Sequence, residues 1–283
     1  MIENPKISLI GSGNMGEALI AGLLHTGLTS ANQITASGPR AERGLELEER
    51  YGVCTATDNV AAITDADLIL LSVKPQRLTG VLKSLRGRIP SQALVLSIVA
   101  GAAMRTLKEG LDHQAVVRSM PNTPAQIGQG ITVWIASSEV NPDQIELARR
   151  VLTAVGQELQ VEDEHFLDMA TALSGTGPAY VFLFMEAMID AGVHMGFPRR
   201  IAEQLVVQTL RGSVDYYKSR KTHVSALRNE VTSPGGTSAE ALYYLEKAGF
   251  RTAISRAVWA AYERSQELGQ GRNSQSPEKK SGS

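Results

Sequence analysis

The stretch Lys6-Ile-Ser-Leu-Ile-Gly-Ser-Gly-Asn-Met-Gly16 decides the fold, because its pattern predicts a buried strand, a glycine-rich turn and the start of a helix. The glycines at 11, 13 and 16 have the spacing G-x-G-x-x-G. In such a turn Gly11 permits the sharp bend, Gly13 lets a pyrophosphate approach the backbone, and Gly16 lets the helix sit close to the strand. The alternative is a strand-to-helix turn that binds nothing.

The residues on both sides of the glycines favour a dinucleotide site. An apolar strand precedes them, and the amphipathic run Ala18–Leu24 follows. A helix that begins near Asn14 and Met15 would present unpaired N–H groups and the positive end of its dipole to a pyrophosphate.

Composition limits the function classes. The chain has 283 residues, enough for two domains, and its net charge of -1 does not favour nucleic acid or an anionic membrane. The single cysteine, Cys54, excludes an internal disulfide and a multi-cysteine zinc site. Residues 1–10 lack the pattern of a signal peptide, and the longest uncharged apolar stretch, Ala93–Met104, is too short to span a bilayer. We therefore expect a cytoplasmic enzyme.

The first half of the chain alternates strand and helix patterns, which predicts a doubly wound α/β domain over residues 1–162. The predicted strands are 6–10, 33–37, 68–73, 93–98, 115–119 and 130–135. The predicted helices are 14–26, 40–50, 75–86 and 142–153. Two of the strands, 68–73 and 93–98, are almost continuously apolar, as is typical of parallel strands covered on both faces. In such a sheet the ligand lies at the carboxyl ends of the strands.

Helical periodicity takes over after residue 162 and predicts an all-helical domain over residues 163–268. The predicted helices are 163–173, 178–194, 198–218, 222–230, 237–248 and 250–268. The helix 178–194 is apolar nearly all round, which favours a domain shared between protomers; a central core helix in a monomer is the alternative. Residues 269–283 contain no Ile, Val, Leu, Phe or Tyr, which predicts a disordered tail.

The end of the second strand indicates which nicotinamide cofactor binds. NAD-specific folds place an acidic residue about 20 positions beyond the glycines. No acidic residue occurs here between Glu17 and Glu42. Ser37 and Arg40 are instead suited to bond a 2′-phosphate, which favours NADP(H). Arg40 as an ordinary surface charge is the alternative.

Three more loops follow predicted strands and should lie at the same edge. Val73-Lys74-Pro75 places a lysine there that either contacts the cofactor ribose or is simply solvated. Ala100-Gly101 allows backbone to approach a ligand closely. Pro121-Asn122 lies in a loop that two prolines make rigid, and Asn122 supplies an amide.

The helical half contains one candidate anion site, Thr232-Ser-Pro-Gly-Gly-Thr-Ser238, at the start of the predicted helix 237–248. Backbone N–H groups at such a helix N-terminus are suited to a carboxylate. The alternative is an N-cap made by Ser233 or Thr237. The five histidines show no metal-binding spacing, so we predict no metal.

Taken together, five motifs resemble pyrroline-5-carboxylate reductase, in the order in which that family carries them. They are Ile10–Ala18, Val73–Gln76, Arg118–Ala125, Leu173–Tyr180 and Val231–Ala241. The last is the most specific, and the five cover the chain apart from its tail. The resemblance implies a Rossmann-type N-terminal domain plus an all-α C-terminal dimerisation domain. It also implies reduction of 1-pyrroline-5-carboxylate to L-proline by NADPH, with NADH as a second donor, and a homodimer assembled into a pentamer of dimers.

The resemblance also assigns residues. Those implied to bind cofactor are Gly11, Gly13, Asn14, Met15, Gly16, Ser37, Arg40, Asn59, Val73, Lys74, Pro75, Ala100, Gly101, Pro121 and Asn122. Those implied to bind substrate are Ser233, Gly236, Thr237 and Ser238, and Ser238 would donate a hydrogen bond to the ring nitrogen. The substrate is a small molecule, and neither nucleic acid nor membrane is an expected partner.

Two rival functions stay open at this point. A β-hydroxyacid dehydrogenase or imine reductase shares the predicted domain order, although the former normally needs a catalytic lysine and residues 163–194 contain none. A non-catalytic NADP sensor is the other rival, and it would not need a second anion site at 233–238.

Overall fold

The computed structural model describes residues 2–269, and its strands all lie within residues 7–160. The strands are β1 Ile7–Ile10, β2 Ile34–Ser37, β3 Cys54–Ala56, β4 Leu68–Leu71, β5 Leu94–Ser97, β6 Val116–Met120, β7 Gly130–Ala136 and β8 Gly156–Gln160. Of the helices, the first seven are α1 Asn14–His25, α2 Ala41–Tyr51, α3 Asn59–Ala62, α4 Pro75–Leu85, α5 Met104–Leu111, α6 Pro142–Thr153 and α7 His165–Ala170. The remaining five are α8 Gly177–His194, α9 Arg199–Ser219, α10 Val224–Glu230, α11 Thr237–Lys247 and α12 Phe250–Gly269.

All eight strands form one sheet in the order β3-β2-β1-β4-β5-β6-β7-β8. Every neighbouring pair is parallel except β6 and β7, which are antiparallel. The order reverses between β1 and β4, and this is the point at which doubly wound sheets bind their ligands.

Helices cover both faces of the sheet because successive side chains of each strand point to opposite faces. Leu68 and Leu70 of β4 pack into one apolar cluster with α1, α2 and α6. Ile69 and Leu71 pack into a second cluster with α3, α4 and α5. The strand pattern is therefore continuously apolar, and the prediction of a Rossmann-type α/β domain is confirmed.

The sequence missed four regular elements, β3, β8, α3 and α5, and one strand direction. β3 and β8 are sheet edges with few apolar residues, and α5 is short. β7 runs antiparallel because the connection from β6, residues 121–129, is too short for the crossover that a parallel strand needs. Cys54 lies on the edge strand β3, and its thiol is exposed.

The described chain forms two compact units. The first takes in the residues up to Thr176 and those from Ala261 onward, and the second is Gly177–Ala260. The predicted domain boundary after residue 162 stays a prediction. Most of the predicted tail lies outside the described residues; Gly269, its first residue, ends α12.

The second unit is entirely helical and carries much exposed apolar surface. On α8, Val181, Phe182 and Leu183 are each at least half exposed. Within residues 2–269, one helical segment, His165–His194, is long and apolar enough to cross a membrane by length and composition alone. Helices that pack against a second protomer have the same composition.

α7 is followed by a π-helical turn, Thr171–Gly175, and by a bend at Thr176 before α8 begins. The sequence had predicted a break between two helices at this motif.

Candidate active site

The predicted cofactor residues come together at the carboxyl edge of the parallel strands. They lie at the end of β2, in the loops that follow β1, β2, β4, β5 and β6, and in the first turns of α1 and α4; Asn59 begins α3, just after β3. The topology thus brings to one edge residues that are spread over more than a hundred positions of sequence.

The glycine-rich loop has the geometry that its spacing predicts. Gly11 has a φ of +107°, and its N–H donates to the Ser37 carbonyl at 2.8 Å. A Cβ on Gly16 would lie 2.5 Å from the Gly11 carbonyl oxygen, so this glycine is needed for the helix to pack on the loop. A Cβ on Gly13 would meet no atom within 4 Å.

Gly13 therefore supplies a test of whether a dinucleotide fits. Gly13 is the N-cap residue of α1, no side chain caps that helix, and the chain itself does not require a glycine there. The open space in front of uncapped N–H groups is a cradle that a Cβ would partly fill. A pyrophosphate fits this cradle by shape and by charge.

Arg43 supports the loop from α2, a contact that the sequence analysis missed. Its Nε donates to the Ser12 carbonyl at 3.1 Å, and its other nitrogens bond Glu17 and Glu46. Burial alone would raise the pKa of Glu17, but hydrogen bonds from Arg43, Tyr51 and Arg50 outweigh it and hold that pKa below its usual value. Arg43 therefore links the glycine loop to α2 and is paired with two carboxylates.

A cavity of about 460 Å³ opens beside the glycine loop, between the end of β2 and α4. Ser37 and Asn59 both line it, and the Ser37 hydroxyl donates to Asn59 Oδ1 at 2.7 Å. Its lining is mostly apolar, which suits an adenine ring. Arg40 lines a neighbouring cavity of about 380 Å³ on the other side of Gly38.

Sequence reasoning missed Arg77, which lines the first cavity from α4. Gly80, Val81 and Ser84 line it too, so one face of α4 borders the cavity. The signal was present, since positions 77, 80, 81 and 84 recur at helical spacing directly after the strand-ending Lys74-Pro75.

The loops after β5 and β6, on the other side of the point where the strand order reverses, are both in contact with neighbouring elements. Gly101 has a φ of +72°, and a Cβ there would lie 3.3 Å from Leu268 Cβ. The Asn122 side chain is already bonded, because its Nδ2 donates to the Ser174 carbonyl at 3.2 Å and its Oδ1 accepts from Ile131 N at 3.0 Å. Asn122 therefore holds its loop together as well as facing the edge.

The loop after β4 places Lys74 at the N-cap position of α4, with Pro75 as the first helical residue. Lys74 is exposed at the ligand edge. Both interpretations of this lysine, ribose contact and solvated charge, agree with that position.

The predicted substrate residues lie in the second unit, at the N-terminus of α11. The N-cap residue is Gly236, and no side chain caps the helix. The alternative that Ser233 or Thr237 serves as the N-cap is therefore wrong. The first N–H groups of α11 are left for a ligand, with Thr237 and Ser238 beside them, and Gly235 shapes the turn with a φ of +72°.

Within residues 2–269, no three His, Cys, Asp or Glu side chains are grouped so as to hold a metal ion. The prediction that the reaction needs no metal stays a prediction.

Comparison with protein families divides the chain in two. Residues 164–268 match the family described as pyrroline-5-carboxylate reductase dimerisation. Residues 6–101 match the family described as NADP oxidoreductase coenzyme F420-dependent. The second match covers the glycine loop and the adenine-sized cavity.

Single relatives match almost the whole chain. The pyrroline-5-carboxylate reductase of Synechocystis sp. is 42% identical over 264 residues, which are 93% of this chain and 98% of the relative. That of Pseudomonas aeruginosa is 40% identical over 268 residues, 94% and 98% of the two chains. The crystal structure of Plasmodium falciparum pyrroline carboxylate reductase with NADP bound superposes with a TM-score of 0.87 at 32% identity, covering 95% of this chain and 100% of that one. With such identity along both of its units, the chain belongs to the pyrroline-5-carboxylate reductase family.

Proposed function

We infer that the chain catalyses the NADPH-dependent reduction of 1-pyrroline-5-carboxylate to L-proline, the last step of proline biosynthesis. The observation that carries this inference is the uncapped N-terminus of α11, built from the family's most specific motif. Its N–H groups are suited to a carboxylate, and the substrate has one. The dinucleotide cradle at Gly13 supplies the second requirement, a place for the hydride donor.

Each unit has a separate task. In the first unit, the glycine loop and the N-terminus of α1 bind the pyrophosphate, and Ser37 with Arg40 bonds the 2′-phosphate. Lys74, Pro75 and Asn59 line the adenosine and ribose side, and the loops after β5 and β6, with Ala100 and Pro121, lie near the nicotinamide. The cofactor, when bound, supplies a hydride.

In the second unit, residues 233–238 bind and orient the substrate. The backbone N–H groups of α11, with Ser233, Gly236 and Thr237, hold the carboxylate, which fixes the position of the imine ring. The Ser238 hydroxyl donates a hydrogen bond to the ring nitrogen as it becomes an amine. A serine hydroxyl is too weak an acid to protonate the imine alone, so Ser238 polarises it or relays a proton from water.

We propose that the enzyme is a homodimer, assembled further into a pentamer of dimers. The exposed apolar face of α8 lies within residues 164–268, the part that matches the dimerisation family. We assign this surface to a second copy of the chain and not to a membrane. A cytoplasmic location remains our prediction.

The test is oxidation of NADPH in the presence of 1-pyrroline-5-carboxylate, with NADH and with a 3-hydroxy acid plus NADP⁺ run in parallel. We expect rapid oxidation of NADPH, slower oxidation of NADH and no reaction of the hydroxy acid. A preference for NADH would agree with the proposed reaction but would contradict the assignment of Ser37 and Arg40 to the 2′-phosphate. Binding of the cofactor without reduction of the imine would favour the rival function, a non-catalytic NADP sensor.

A further inference from the structure

An ion-pair network around one buried arginine lies next to the loops after β5 and β6. Arg118 on β6 is only 6% exposed at its side chain, and two carboxylates meet it. Its Nη1 donates to Glu164 Oε1 at 2.6 Å, and its Nη2 donates to Asp168 Oδ1 at 3.3 Å. All three residues belong to the first unit.

The network reaches two further elements. Glu164 Oε1 also accepts from the backbone N–H of Met104, the first residue of α5, at 2.6 Å. Asp168 Oδ1 also accepts from the Ser265 hydroxyl on α12 at 3.0 Å. One buried guanidinium thus connects β6, α5, α7 and the end of α12.

The bond to Met104 acts as the missing cap of α5. Its N-cap residue is Ala103, which offers no side-chain acceptor. Glu164, distant in sequence, supplies the acceptor and a negative charge at the positive end of the helix dipole. The position at which α5 begins is therefore set by Glu164.

What precedes α5 makes this position matter. Residues 98–103 join the end of β5 to Met104, and they include Ala100 and Gly101 at the ligand edge. Two residues after Arg118, β6 ends at Met120 and leads into Pro121 and Asn122. In a doubly wound sheet these loops lie on the half that takes the nicotinamide, whereas β1 and β2 take the adenosine.

We propose that Arg118 and Glu164 are positioning residues for hydride transfer. They hold the loops after β5 and β6 in one fixed arrangement through the Glu164–Met104 bond, without touching cofactor or substrate. This inference rests on the proposed function, because it concerns the nicotinamide half of the same site. Its consequence is that the network governs the reacting end of the cofactor and leaves the adenosine end unaffected.

The experiment compares Glu164→Ala with Glu164→Gln. Glutamine keeps an oxygen that accepts from Met104 N, whereas alanine removes it. We expect Glu164→Ala to lower the rate constant of hydride transfer at saturating ligand by about 10-fold or more, since small misplacements of reacting groups cost this much. Glu164→Gln should recover most of that loss, and a primary deuterium isotope effect from 4-deuterated NADPH should identify the slowed step.

Binding supplies a measurement independent of turnover. By calorimetry, adenosine 2′,5′-bisphosphate, which has no nicotinamide, should bind Glu164→Ala and the unaltered enzyme equally. NADP⁺ should bind the variant several-fold more weakly. Glu109→Ala is the matched control. It breaks an exposed ion pair on the same helix, in which Arg105 Nε lies 2.7 Å from Glu109 Oε1, and it does not touch the network. It should change neither the transfer rate nor either affinity.

Three results would overturn the inference. One is a Glu164→Ala enzyme with a lower melting temperature but an unchanged transfer rate and NADP⁺ affinity, which is what a purely structural ion pair gives. Another is equal weakening of both ligands, and the third is no recovery with glutamine. If the unaltered protein reduces no imine, the proposed function fails, and the difference between the two binding measurements still decides the role of Glu164.

Discussion

At the scale of single residues, Gly13 and Gly16 have different reasons for being glycine. Gly16→Ala forces a Cβ to within 2.5 Å of the Gly11 carbonyl oxygen and should cost roughly 1–3 kcal/mol of stability. Gly13→Ala meets no atom of the chain, so its melting temperature should stay unchanged while NADPH affinity falls. Thermal melts and calorimetric titration of both variants check this. If the Gly13→Ala protein binds NADPH normally, the pyrophosphate does not bind at Gly13.

Ser238 is the residue whose hydroxyl we place against the reacting nitrogen. Ser238→Ala should lower kcat by about 10-fold, the value of one hydrogen bond formed mainly in the transition state, and should change KM little. Steady-state kinetics with 1-pyrroline-5-carboxylate measures both constants. The control is Ser213→Ala on the exposed surface of α9, which should behave as the unaltered enzyme. Unchanged kinetics in Ser238→Ala would remove this role.

His113 should make stability depend on pH. Burial lowers the pKa of this imidazole below its ordinary value of 6.5, and the hydrogen bond at 2.8 Å to the Ala93 carbonyl opposes the shift only in part. The unfolded chain therefore binds the proton more readily than the folded one. The stabilisation is complete above about pH 6.5 and is lost as the pH falls below it toward the folded-state pKa.

Melting temperatures of the unaltered protein and of His113→Gln, taken from pH 7.5 down to pH 5.5, check this. The difference between the two proteins should shrink as the pH falls. A constant difference over that range would show that His113 contributes nothing to the pH dependence.

At the scale of elements, α6 depends on its capping box. Asn141 Oδ1 accepts from Gln144 N at 3.0 Å, and Gln144 Oε1 accepts from Asn141 N at 3.1 Å. Asn141→Ala should lower stability by about 1 kcal/mol, the usual value of an N-cap. Asn141→Asp keeps the acceptor and should lose little. Thermal melts of both variants decide this, and activity should not change because α6 carries no residue of the proposed site.

The elements that the sequence predicted share a strong local signal. The strands β4 and β5 are buried on both faces, and their apolar runs left little room for another interpretation. β8 has a single large apolar residue, Leu159, and β3 has only three residues, so no periodicity could identify either. α5 has only two buried leucines, Leu107 and Leu111, and it follows directly on an apolar run, so its helical period did not stand out.

In the candidate site, too, the residues with a local sequence signal were predicted and those that depend on tertiary contacts were not. Local motifs predicted the glycine loop, the end of β2 and the α11 N-terminus. The contacts of Arg43 and Arg118 depend on which elements the topology brings together, and no local pattern contains that information. Arg77 is the exception, because a local signal existed in the helical spacing that follows Lys74-Pro75. Arg118 was visible in the sequence only as part of a family motif.

At the scale of the whole molecule, the exposed apolar residues of α8 predict that oligomerisation depends on that face. Leu183 is 67% exposed, and Leu183→Glu should shift the protein to smaller species and lower its melting temperature, because a carboxylate cannot be buried there unpaired. Analytical ultracentrifugation measures the distribution. Leu45→Glu, on α2 at 63% exposure, is the control and should leave the assembly intact. If the assembly of the Leu183→Glu protein has an unchanged mass, the subunit interface does not lie on this face of α8.

The exposed thiol of Cys54 is a natural site for attaching a fluorescent dye to each subunit. The chain has 283 residues and one cysteine, which lies on an edge strand outside the helical unit. A maleimide dye would label each subunit once, without any substitution. In a closed ring the dyes would repeat at fixed separations, so depolarisation by energy transfer between identical dyes would report the number of neighbours around each subunit.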